Sequence, residues 1–352
     1  MPIPFLLAGA GILAGVVGVG GHIDAKETNE IAQARRDKAK NMYDKEKDIL
    51  EKYQEDTKEA LLNLGYAKEK TLNQSMKHFL TLYEKIKDVN PKDPSDYKEI
   101  SRFSIDDTAV LQIKNMSDIY FDSIGSGVAG AATGAVIALA ANGSLGAVTS
   151  GLSLAGTFLS MGEVGSAVGM VGSALSVGAA MTPLAAVAAP VVMFTGISAS
   201  MKADENLEKA NEMLAKAEKA VEEMKVSEVL CKSITERSKL FQDLLRKLDR
   251  MFAECVYSLD RVIREKEYSN PNRKLKSEDF TQKELELISV TRALAGATKA
   301  VIDTPILTKD GKVEIESRHV YDKMMSKLSK FDGAVKTVKS VSYTHLRAHE
   351  TL

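Results

Sequence analysis

The charges of this 352-residue chain are segregated along it. Residues 1–23 carry no charged side chain and residues 123–201 carry one, Glu163, so 102 residues hold a single one of the 95 charges. Twenty of the 24 glycines fall in the same two stretches. A helix exposed to water keeps a polar face, so a nearly uncharged run of this length must be sheltered by other helices or by lipid. The rest of the chain is rich in Lys, Glu, Ala and Leu, the residues of long solvated helices. The pattern predicts an all-α protein, with long amphipathic, coiled-coil-like helices around a Gly/Ala-rich apolar helical core.

Composition narrows the function classes. With 47 basic and 48 acidic side chains the net charge is −1, which removes the broad positive field of a nucleic-acid binder. The expected partners are a lipid bilayer, further copies of the chain, and a protein partner held through the helical arms. Cys231 and Cys255 lie in one strongly helical stretch and form no disulfide framework, and Cys255 falls on an apolar stripe. Trp is absent and aromatics are 6%, so no aromatic belt marks a membrane interface. No Lys or Arg precedes the apolar run at 3–21, so no secretory signal peptide is expected. The expected location is a bacterial membrane with the charged arms on its cytoplasmic side.

Segment boundaries follow composition. Residues 1–23 form a Gly-rich apolar segment, and 24–122 a charged helical arm with a proline loop at 90–95. In that arm Leu72, Met76, Phe79, Tyr83 and Ile86 recur at 4, 3, 4 and 3, and Met42, Ile49, Tyr53, Ala60 and Leu64 are expected to continue the seam. Ser104 is expected to cap the next helix, with Asp106 and Asp107 in its first turn. Residues 202–268 form a second charged arm whose seam is Phe241, Leu245, Leu248, Phe252, Cys255, Leu259 and Val262, and the first arm is its expected partner. Residues 276–340 hold two shorter helices. The first opens on the capping-box pattern Thr281–Glu284, and a tight turn at 309–312 separates them. Residues 341–352 read as a translated sequencing-library adapter, so the natural protein is expected to continue differently beyond Ser340.

Turn signals at Asn142-Gly143, Gly162-Glu163 and Thr182-Pro183 divide 123–201 into four apolar pieces of 17 or 18 residues. Each piece reaches about 26 Å as a helix, slightly less than a bilayer's hydrocarbon core of about 30 Å. Gly130 and Gly134 form one small-residue ridge, Gly165 and Gly169 a second, and Gly172 opens a third. Such ridges favour close helix packing in a membrane. Two hairpins with tips at Asn142-Gly143 and Thr182-Pro183, and a return at Glu163, carry no charge across the bilayer.

Sites for chemistry are not indicated. Gly125–Gly130 matches GxGxxG, but the next acid after Asp122 is Glu163, too far for a ribose contact, and no Walker loop is present. His22, His78 and His319 are scattered, and the i, i+4 pair His345 and His349 falls in the adapter-like tail without a catalytic Glu. No enzyme, metal site, cofactor or small-molecule substrate is expected.

The glycine-zipper core between two charged helices, with Arg292–Gly296 and Ile302–Gly311 beyond it, resembles an uncharacterised bacterial glycine-zipper family over residues 1–338. That resemblance implies a membrane-associated all-α protein and transfers no functional residues. The layout is also similar to α-helical pore-forming toxins and apolipoprotein-L-like proteins, where long helices carry an apolar hairpin. The expected function is membrane insertion of the small-residue core as packed hairpins, extending to a pore. The alternative is a non-permeabilising coiled-coil scaffold, or a soluble helical bundle, that recruits a protein partner.

Overall fold

The structure, a computed structural model, describes residues 25–114, 136–143, 202–269, 274–308 and 311–339. The segment 1–23, most of 123–201 and the tail 340–352 lie outside the described residues. So do Gly130, Gly134, Glu163, Gly165, Gly169, Gly172 and Pro183. The described residues are all-α: 88% are helical, and the one extended pairing among them is an isolated antiparallel bridge between Leu307 and Val313.

Five helices are named in chain order: α1 Ala25–Thr71, α2 Lys77–Ile86, α3 Ala203–Ser269, α4 Gln282–Asp303 and α5 Ile315–Lys339. A π-helical turn, Leu72–Met76, joins α1 to α2 without a break. α3 runs 67 residues with no Gly or Pro inside it and stops two residues before Pro271. Short 3-10 turns at Ser95–Tyr97 and Ile100–Phe103 carry the proline loop. Ser104 closes the second of these, its N–H bonded to Ser101, and does not cap the next helix. Asp106 takes that role, its carboxylate accepting from Ala109 N–H at 2.7 Å.

The chain divides into two compact units, Met1–Asp48 with Pro190–Glu223, and Ile49–Ala189 with Met224–Leu352. In the first, α1 and α3 run parallel: Asn206 donates to Asn29 at 2.8 Å and Arg35 donates to Asn211. Their buried seam is rich in alanine, with Ala32, Ala39, Ala210, Ala217 and Ala220 buried beside Tyr43, Met213 and Val221.

In the second unit α1–α2 again runs parallel to α3, as paired residues rise together: Thr57 with Thr235, Asn63 with Gln242, Lys85 with Glu267. Here the seam is large. Leu72, Met76, Phe79 and Tyr83 face inward, as do Phe241, Leu245, Leu248, Phe252, Cys255 and Leu259, and the rings of Phe79 and Phe252 meet edge-on at 5.5 Å. Ahead of the π turn the buried stripe is Leu50, Thr57, Leu64 and Thr71, in the same seven-residue count as Tyr43 of the first unit, while Ile49 and Tyr53, and Met42 of the first unit, are half-buried. Beyond it the stripe is Leu72, Phe79 and Ile86, one residue later in the seven-residue count. The π turn supplies that extra residue.

α4 is the centre of this unit, apolar and buried around most of its circumference. The capping box at its start is formed, Thr281 N–H donating to Glu284 at 2.7 Å and Glu284 N–H to Thr281 Oγ1 at 3.3 Å. The proline loop lies along it: Lys92 N–H bonds Leu285 O, Ser289 bonds Asp93, and Ile105 N–H bonds Arg292 O. α5 buries Met324, Phe331, Ala334, Val335 and Val338, and Tyr321 of α5 meets Phe241 of α3.

Candidate functional site

The described part of the apolar segment, 136–143, is helical and buried in the second unit. Its last turn leaves carbonyl oxygens without intrahelical donors, as does the end of α4. One side chain serves both ends. Lys68 of α1 is fully buried, and its ammonium donates to Leu139 O at 3.1 Å, Ala140 O at 3.4 Å and Thr304 O at 3.2 Å. Ala141 O takes two further bonds, from the N–H groups of Ile306 at 2.8 Å and Leu307 at 2.9 Å. A cation at a helix C-terminus is favoured by the negative end of its dipole, and here two such ends converge on one cation.

Two glycines make the approach possible. A Cβ on Gly65, the single glycine of α1, would collide with Val136 O, so Val136 lies directly on the α1 backbone. Gly143 has φ +67°, the left-handed value of a helix C-cap, and a Cβ there would collide with Asp303 O. Gly143 is therefore seated against the end of α4.

Burial brings the Lys68 pKa down to about 7, and Asp303 pulls it back upward. Asp303 is itself paired with Lys299. The Lys68 amine is fully buried among backbone carbonyls, so it acts as a clamp between helix ends. Its sequence position carried a signal: Lys68 falls in the register of Leu61 and Leu64, seven residues after Leu61, beside that lone glycine.

Several other ionisable groups have structural partners. Asp107 accepts a hydrogen bond from Tyr83 at 2.6 Å, Arg292 bonds the same hydroxyl at 3.2 Å, and burial with the Asp107 bond pushes the phenol up to about 12. Cys231 and Cys255 are free buried thiols, both raised by burial, Cys255 to about 12. Glu222 and Glu223 lie on an exposed face, and His78 sits 3.6 Å from Asp260. Among the described residues no cluster of His, Cys, Asp and Glu could hold a metal, and no helix is long and apolar enough to cross a membrane. Comparison with known proteins returned no matching family model, no similar curated protein and no similar solved structure.

Proposed function

We propose that this is a membrane-associated helical protein whose small-residue segment enters a bilayer as a packed hairpin while the charged helices stay in water. The observation that carries the reading is the single charge among 102 residues. The Lys68 seat refines it, because residues 136–143 are packed against charged helices. Insertion is then assigned to residues after 143.

Both flanks of that segment, Gly143 and Lys202, adjoin charged helices, so the number of crossings must be even. Residues 164–181 and 184–200 supply two, with the uncharged Thr182-Pro183 turn on the far side and Glu163 hydrated on the near side. Gly165, Gly169 and Gly172 provide flat faces for these helices to pack on each other or on further copies, which is the route to a pore. The test is side-specific labelling of cysteine placed at Glu163 or Thr182 in a Cys231→Ser, Cys255→Ser chain in membranes. Labelling from opposite sides is expected, and labelling of both from one side contradicts the topology. Release of an entrapped dye from liposomes, abolished by Gly169→Leu, separates a pore from a non-permeabilising anchor.

A further inference from the structure

We propose that the groove between α1 and α3 in the second unit binds a phosphate-bearing polyol, free or as a lipid headgroup. The groove has a volume of about 450 Å³ and is lined by Lys70 on α1 and by Arg246, Asp249 and Arg250 on α3. Three cations face one carboxylate there, in a chain whose net charge is −1. Arg246 approaches Asp243 only at 4.0 Å, with both side chains about two-thirds exposed, so that contact neutralises little. Lys70 and Arg250 have no ion pair or hydrogen bond among the described residues.

Arg246 and Arg250 stand at i, i+4, where like charges repel and weaken a helix. The fold keeps this repulsion and brings Lys70 to it from the opposite helix. Two guanidinium forks with an ammonium suit the oxygens of a phosphate group. Asp249 adds a second element: its carboxylate lines the groove, and its Oδ1, closed off from solvent, has no hydrogen-bond partner, so the group carries unused acceptor capacity for a hydroxyl. Tyr66, half exposed, stands on the α1 side of the same groove with an amphipathic ring. Cations for the phosphate and a carboxylate for an adjoining hydroxyl together select a phosphorylated polyol over bare phosphate. The inference does not depend on insertion of the apolar segment.

The test uses the full chain, with glycerol 1-phosphate and inorganic phosphate in titration, and vesicles of phosphatidylglycerol or phosphatidylcholine in co-sedimentation. Arg246 and Arg250 are exposed, so Arg246→Gln with Arg250→Gln should leave the circular dichroism and thermal midpoint unchanged. Glycerol 1-phosphate is expected to bind more tightly than phosphate and to lose about tenfold in the double variant. Asp249→Asn is expected to erase the preference over inorganic phosphate while leaving phosphate binding in place. A free-ligand site shows this loss in titration; a headgroup site shows it as loss of the excess binding to phosphatidylglycerol over phosphatidylcholine. The proposal is overturned if the double variant matches the unaltered chain in both assays, or if the unaltered chain binds neither probe selectively.

Discussion

Lys68 ties three segments together through one ammonium, and its removal should be felt by all of them. Lys68→Met fills similar volume but leaves the carbonyls of Leu139, Ala140 and Thr304 without that donor, and burying unsatisfied acceptors costs about 1–3 kcal/mol. Denaturant titration of the variant should show this loss. The pH dependence is equally specific. The folded-state pKa of about 7 lies below lysine's ordinary 10.5, so between these two values the unfolded chain holds a proton that the folded chain has released. Stability should therefore rise with pH from about 7 to about 10.5, and the Lys68 contribution should be flat below 7; Lys68→Met should lose that rise. Gly143→Ala meets both a left-handed φ and the Asp303 carbonyl, and should cost about 1–3 kcal/mol by the same titration. This seat was scarcely legible in the sequence. A lysine in an apolar register looks like a gap in the seam, and only backbone carbonyls supplied from residues 71 to 236 positions away make its burial tolerable.

At the scale of the helices, the π turn lets two stripes that differ by one residue face the same partner. Deleting Asn73 within that turn should merge them into one heptad series and be tolerated, whereas deleting Asp56 should rotate everything before it out of register. Thermal melts of the two deletions decide this: a retained cooperative transition is expected for the first and its loss for the second. The first unit buries alanines where the second buries Leu and Phe, so its helix pairing removes less apolar surface from water. Hydrogen exchange should accordingly be faster in 25–48 and 203–223 than in α4. Helix extents were legible because α3 lacks Gly and Pro and because Thr281–Glu284 forms a local cap. The stripe at Tyr43, Leu50 and Thr57 was not, since Thr57 is buried by bonding Tyr53 O at 2.7 Å and Thr235 at 3.0 Å, not by being apolar. Nor was the choice of Asp106 over Ser104 as a cap, which depends on where the 3-10 turn before it closes.

For the whole molecule, the division of labour follows the charge pattern. Water-facing helices carry the charges, α4 fills the centre of the second unit, and the seat at Lys68 marks where the apolar segment joins them. Residues 136–143 are packed inside that unit, and a bilayer is the environment we propose for the rest of the apolar segment on its composition. All-α architecture was legible from residue types and spacing alone. The burial of residues 136–143 was not, because their helix end is held by a lysine from another helix. The most direct test of membrane insertion is flotation of the full chain with phosphatidylcholine liposomes, followed by carbonate extraction of the floated fraction. Insertion predicts that the chain floats and stays with the lipid at alkaline pH. A chain that remains at the bottom of the gradient, or is released entirely by carbonate, contradicts the account.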